Sequence, residues 1–287
     1  MKIAVASGKG GTGKTMVACS LALTLATHQP VQFLDCDVEA PNAHLFLNPQ
    51  IQEKKKATLP IPEINPSSCT SCGRCVAVCA FNALAQVGQR ILVFPQLCHG
   101  CGSCSLRCPE GAITEIPKPL GILRRGKVSR NIRFFDGELT ISEPMPTPII
   151  RQLKKFAGNT QTLTIMDSPP GASCSVVETV IDADFLLLVT EPTAFGWHDL
   201  RQMLGIIDQI HIPAGIIINR DGIGDPDIER RIQETGRPIL MKIPHLRKIA
   251  EGLAAGTPLI KIQPEYQSKF GELFENIQDI LGKEQLG

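Results

Sequence analysis

Six short runs of apolar, often β-branched residues punctuate the chain, at 3–7 (IAVAS), 31–35 (VQFLD), 162–167 (TLTIMD), 184–190 (DFLLLVT), 215–219 (GIIIN) and 238–243 (PILMKI). They are apolar on both faces rather than alternating, which predicts strands of a parallel sheet covered on each side. Turn signals follow, and then stretches of helical periodicity at 13–27, 197–210, 227–235, 246–255 and 266–281. Strand and helix in alternation predict an α/β fold with a doubly wound, mostly parallel sheet. The last helical stretch sets Phe270, Leu273, Phe274, Ile277, Ile280 and Leu281 on one face, opposite Glu272, Glu275 and Asp279. That face is expected to pack on the core, because a membrane-binding helix would carry basic residues on its polar side.

The alternation breaks between about 48 and 148. Two proline-rich segments, PIPEINP (60–66) and IPKPLG (116–121), bound a cysteine-rich stretch. Proline clusters mark chain punctuation, so residues 60–117 are expected to form an inserted small α+β domain. Its host would be a discontinuous domain of residues 1–59 and 118–287. Residues 121–148 read as short extended segments and turns, with a hairpin expected around Asp136-Gly137.

Composition narrows the picture. The 43% hydrophobic content of 287 residues supports a substantial core, and 29 basic against 28 acidic side chains leave no net field for nucleic acid or an anionic membrane. No apolar run reaches membrane-spanning length and the first residues show no leader pattern, so a cytoplasmic protein is expected. Eight of the eleven cysteines fall between Cys69 and Cys108, which favours metal or cluster ligation over disulfides.

The loop SGKGGTGKT (7–15) satisfies two templates. Gly8, Gly10 and Gly13 spell the dinucleotide pattern G-x-G-x-x-G, with Asp35 about 20 residues on. Gly8, Gly13, Lys14 and Thr15 spell the phosphate loop G-x-x-x-x-G-K-T. A dinucleotide needs no charge after the third glycine, whereas Lys14 can reach the β- and γ-phosphates and Thr15 can ligate Mg²⁺. The triphosphate reading is preferred; a dehydrogenase would oxidise NADH without Mg²⁺.

Lys9, just after the first glycine, completes K-G-G-x-G-K-T, and the chain here resembles the deviant Walker A ATPases of the MinD/ParA and nitrogenase iron protein superfamily. DCDVEAPN (35–42) resembles its first switch and DSPPG (167–171) its Walker B and second switch. The resemblance implies nucleotide binding by Gly8, Lys9, Gly10, Gly11, Thr12, Gly13, Lys14 and Thr15, with Asn219 of GIIINRDG reading adenine. It implies Mg²⁺ held by Thr15, Asp37 and Asp167, with Asp37 positioning the attacking water and Gly171 sensing the γ-phosphate. It also implies that Lys9 crosses a dimer interface to the partner's nucleotide, so that Lys9, Lys14, Asp37 and Asp167 make up the catalytic set. Asp35 reads equally well as a residue that ends its strand. TEPTAFGWHDL (190–200) is similar to the loop after the second switch, where Trp197 and His198 read as packing or surface residues.

Cys69, Cys72, Cys75 and Cys79 follow C-x2-C-x2-C-x3-C, and Cys98, Cys101, Cys104 and Cys108 repeat it, ending in Pro109. This spacing resembles bacterial ferredoxins, in which the fourth cysteine of each run ligates the other cluster. The resemblance implies one 4Fe–4S cluster on Cys69, Cys72, Cys75 and Cys108 and a second on Cys98, Cys101, Cys104 and Cys79. Ala80 stands where the first run would carry proline. Zinc ribbons use paired C-x2-C units and suit two complete runs poorly. Cys36 and Cys174, beside the two switches, read as small buried residues rather than ligands of a cluster bridging two subunits.

Together these features resemble an Mrp-like ATPase with a ferredoxin insert. The expected cofactors are ATP, Mg²⁺ and two 4Fe–4S clusters, and the expected partners a second copy or a paralogous ATPase, and a redox or metallocluster protein. ATP-driven dimer closure would serve electron transfer or cluster assembly on that partner. The alternative is a positioning ATPase whose clusters only staple the insert.

Overall fold

The computed structural model describes residues 1–158 and 161–284. The chain divides into two compact units, one from Met1–Lys54, Leu123–Glu138 and Ile150–Gly287, the other from Lys55–Ile122 and Leu139–Ile149. The first opens with strand β1 (Lys2–Ser7), helix α1 (Lys14–Leu25), strand β2 (Val31–Asp35) and short helix α2 (Ala43–Leu47). Strand β3 (Gln50–Ile64) carries the chain into the second unit, which holds α3 (Arg74–Val78), β4 (Leu84–Val87), β5 (Arg90–Val93) and α4 (Ser103–Leu106). Strand β6 (Ile113–Ser129) brings it back to β7 (Ile132–Leu139), α5 (Thr147–Ala157), β8 (Leu163–Pro170) and α6 (Cys174–Val180). Then come β9 (Phe185–Thr190), α7 (Ala194–Ile210), β10 (Ala214–Asp221), α8 (Ile228–Gln233) and β11 (Ile239–Pro244). Helices α9 (Arg247–Ala254), α10 (Leu259–Ile262) and α11 (Tyr266–Glu284) close the chain.

Seven strands of the first unit lie in the order β11-β10-β9-β1-β8-β2-β7, every neighbouring pair parallel. Strand order turns about β1, with β8, β2 and β7 on one side and β9, β10 and β11 on the other. In open parallel sheets the crevice beyond the carboxyl ends of the strands at such a turning point is the usual ligand site. β1, β2 and β9 are buried along almost their whole length, as apolar runs on both faces require. α1 is buried on nearly every side, and α11 packs on it with Tyr266, Phe270, Leu273, Phe274 and Ile277 in the same core. The polar face of α11 is left outside, as its pattern indicates.

Two expectations change. The hairpin turn lies at residues 130–131, between β6 and β7, and Asp136-Gly137 falls inside β7. Asp136 is there because its carboxylate accepts two hydrogen bonds from Arg124, at 2.8 and 2.7 Å, so the apparent turn pair is a buried ion pair with a glycine beside it. Residues 147–157, placed at the edge of the irregular stretch, form helix α5, which buries Ile149, Ile150 and Leu153.

The second unit is built on an internal repeat. CTSCGRC (69–75) runs into α3 and CHGCGSC (98–104) into α4, and Gly73 and Gly102 occupy the same position before each helix with φ of 73° and 72°. That left-handed conformation is what glycine supplies cheaply. β4 and β5 form an antiparallel hairpin, and beside the repeats Cys75, Leu84 and Cys104 make one small buried cluster, with Ile64, Val76, Cys79, Ile91, Val93 and Ile113 against them; Ala57, Leu59, Ile61 and Leu120 are buried elsewhere in the unit.

Candidate functional site

The loop between β1 and α1 owes its path to glycine. Gly11 and Gly13 have φ of 77° and 94°. A Cβ on Gly8 would meet the Asp199 carbonyl oxygen at 2.4 Å, and one on Gly13 would meet the Asn219 amide at 2.4 Å. The backbone therefore runs too close to α7 and β10 for any side chain. The loop ends at the N-terminus of α1, where free N–H groups and the helix dipole favour an anion.

Around that terminus the sheet delivers carboxylates in register. Asp35 of β2 lies level with Asp167 of β8 on one side and Asp136 of β7 on the other. Asp35 is fully buried and accepts hydrogen bonds from the backbone N–H groups of Asp37, Asn42 and Ala43, at 3.1, 3.0 and 2.9 Å. Its oxygens are committed to shaping the loop after β2. This argues against the ribose contact that a dinucleotide site would ask of it.

Lys14, buried in the first turn of α1, donates to Asp37 at 3.2 Å and lies 3.8 Å from Asp167. Burial works against its charge, yet Asp167 and Asp37 outweigh it and hold its pKa above the ordinary value. Neither oxygen of Asp167 accepts a hydrogen bond of normal geometry, although both are buried. Desolvation pushes its carboxyl up to about 6 against the pull of Lys14. The Thr12 hydroxyl is likewise buried without a partner, and Thr15 is buried beside Lys14. Such unpartnered buried polar atoms are costly unless a ligand or cation satisfies them.

Asn219, at the end of β10, donates its amide to the Thr12 carbonyl at 2.7 Å and so braces the loop. The Gly171 N–H, at φ 92°, donates to the Ser7 carbonyl at 2.9 Å and ties the segment after β8 to the end of β1. Lys9 is paired within its own chain, its ammonium donating to Glu191. Glu191 also receives Arg220 at 2.8 Å, and Arg220 reaches back to the Gly11 carbonyl at 3.0 Å. These cations hold the Glu191 carboxyl below the usual range although its burial opposes them. Sequence reasoning missed Glu191 and Arg220. Their signal was position alone: each lies at or near the carboxyl end of a strand, and Arg220 carries a φ of 57°, rare outside glycine.

Cys36 is buried, and its thiol is pushed up by desolvation. Cys174 is exposed, contrary to expectation, because α6 turns Ser175, Val176, Thr179 and Val180 inward. His198 is exposed and Trp197 half-buried.

In the second unit the eight cysteines line two cavities. Cys69, Cys72, Cys75 and Cys108 line one, with Ile64, Ile91 and Ile113 among their neighbours. Cys79, Cys98, Cys101 and Cys104 line the other, with Phe81 and His99, whose rings stack at 3.7 Å. Backbone N–H groups point at sulfur from Ala83 to Cys79, from Gly100 to Cys98 and from Ala112 to Cys108, at 3.3 to 3.4 Å. Among the described residues no three His, Cys, Asp or Glu side chains are grouped as a single metal ion would need. No helix there is long and apolar enough to cross a membrane.

Comparison with known proteins agrees with this geometry. The family model of the CobQ/CobB/MinD/ParA nucleotide-binding domain matches residues 3–259. An uncharacterized protein of Methanocaldococcus jannaschii is 34% identical over 78% of this chain and 80% of its own length. An iron-sulfur cluster carrier protein of Synechocystis is 26% identical over 93% of this chain and 66% of its own length. Among solved structures, the septum site-determining protein MinD of Pyrococcus horikoshii, complexed with Mg-ADP, superposes with a TM-score of 0.58 at 18% identity, covering 98% of this chain and 97% of that one. The phosphate loop, the mostly parallel sheet and the matched span together show that the chain belongs to the CobQ/CobB/MinD/ParA nucleotide-binding family.

Proposed function

We propose that the protein is a Mg²⁺-dependent ATPase that carries two 4Fe–4S clusters in a ferredoxin-like insert, and that ATP-driven pairing of two copies, or of one copy with a paralogue, gates electron transfer to a partner protein. One observation carries the reading. The two cavities are lined by the two cysteine sets that ligand exchange between the repeats demands, Cys69, Cys72, Cys75 and Cys108 in one and Cys98, Cys101, Cys104 and Cys79 in the other. A zinc site would draw its ligands together around one ion, whereas these thiols ring a space. Sulfur-directed N–H groups and apolar walls suit such a cluster. When bound, the clusters supply one-electron redox chemistry. Complete four-thiol sets with Cys75, Cys98 and Cys104 buried favour retention over donation of a cluster.

At the nucleotide site, the glycine N–H groups and Lys14 bind the phosphates, and the unpartnered oxygens of Asp167 fit a cation shell shared with Thr15 and Asp37. Asp37 positions water for attack on the γ-phosphorus, and ADP leaves with its charge held by Lys14 and the α1 N-terminus. Asn219 stands at the base side. Lys9 acts across the pair of subunits, which requires it to leave Glu191. A second reading, cluster assembly on a client, is favoured by the iron-sulfur carrier among the relatives.

The test is anaerobic purification with iron and sulfide analysis, followed by the cluster reduction potential without nucleotide, with ADP and with a non-hydrolysable ATP analogue. A nucleotide-dependent shift is expected. Identical potentials would favour clusters that only staple the insert. Lys9→Ala should abolish ATP-dependent pairing while leaving nucleotide affinity largely intact.

A further inference from the structure

The first cysteine cavity has a second side. A groove on the surface of the same unit is lined by Arg74, Ala77, Leu106, Arg107, Cys108 and Pro109. Arg74, Cys108 and Pro109 also line the cavity of Cys69, Cys72 and Cys75. Groove and cavity thus share a wall, and that wall contains the cysteine contributed by the other repeat.

The groove is dressed for contact. Leu106 is 87% exposed, on a helix whose Cys104 faces the core. Arg74 and Arg107 are exposed in the same lining, and neither guanidinium has an ion-pair partner among the described residues. Glu110, the nearest carboxylate in sequence, lines the cavity and not the groove. An exposed leucine together with unpaired arginines is the composition of an interface centre, where arginine and apolar anchors dominate binding. The whole chain carries a net charge of only +1, so the attraction this groove offers an acidic surface comes from its own two arginines.

Resting on the cluster reading above, we infer that this groove is the docking site of an acidic electron-transfer protein, and that the Cys108 wall is where the electron crosses. One electron leaves the reduced insert and the acceptor's redox centre gains it; no bond forms or breaks. The arginines align an acidic surface over the wall, and Leu106 excludes water from the contact.

The probes are two ferric one-electron acceptors, the acidic soluble domain of cytochrome b5 and basic cytochrome c. The holoprotein and the variant Arg74→Glu/Arg107→Glu are first matched for iron, sulfide and the electron paramagnetic resonance of the reduced clusters. Absence of iron and sulfide from the wild type would defeat the cluster reading itself, and is seen before any docking measurement. At low salt, where charges act over about 30 Å, reduction of cytochrome b5 should fall at least tenfold in the variant. Reduction of cytochrome c should not fall. Binding of redox-inert zinc-substituted cytochrome b5, followed by porphyrin fluorescence, should weaken by a similar factor in the double variant and in Leu106→Asp. Unchanged cytochrome b5 rates and affinities, or an equal loss with both acceptors, would overturn the proposal.

Discussion

Asp167 is fully buried, accepts no hydrogen bond of normal geometry at either oxygen, and has its carboxyl pushed up to about 6 by desolvation against the pull of Lys14. A carboxyl with a raised folded-state pKa favours the folded chain while protonated, so its contribution is complete below the unfolded value near 4 and is lost as pH rises through about 6. In the Mg²⁺- and nucleotide-free protein, Asp167→Asn should therefore gain on the wild type by on the order of 3 kcal/mol between pH 4 and pH 8. Urea unfolding at the two pH values measures this, and a pH-independent difference would contradict it. The same substitution should abolish Mg²⁺-dependent nucleotide binding. The neighbouring Asp35 would give no such trade, since three backbone N–H groups depend on it. Two aspartates a residue apart in motif thus differ in work: Asp35 builds the loop and Asp37 is left to meet Lys14.

Among the elements, α11 fastens the core, and Phe270 is wholly buried against it. Phe270→Ala should cost about 3 to 5 kcal/mol, read as a lowered unfolding midpoint together with faster amide exchange in α1. The central strands and long helices were legible in the sequence because their apolar runs are continuous or keep a single period. β3 and β6 were not, because half-exposed strands carrying Lys54, Lys55 and Arg125 lack the alternation that identifies an edge. Helix α5 escaped because it follows directly on an irregular stretch, although its buried Ile149, Ile150 and Leu153 keep helical spacing. The phosphate loop, Asp37 and Asp167 announce themselves by motif. Glu191, Arg220 and the Arg124–Asp136 pair do not, since each depends on a strand register that only the folded sheet supplies.

At the scale of the whole molecule, the two units rest on different foundations. The first has a large apolar core, whereas around its cysteine repeats the second gathers only Cys75, Leu84 and Cys104 with a few half-buried neighbours, a cluster of the size that small scaffolds supplement with a staple. On the proposed cluster reading, removing iron with a chelator under oxidation should unfold the second unit alone. Limited proteolysis should then cut within residues 55–122 while the fragments of the first unit stay resistant, and an equally resistant iron-free protein would refute this. The phosphate loop has a dependence of another kind. Its braces come from far along the chain, with Glu191 meeting Lys9 across 182 residues and Asn219 meeting Thr12 across 207. On the ribosome, then, a nascent polypeptide displays its glycine motif long before it gains the means to grip a ligand, since the asparagine that steadies the loop is made 207 residues later.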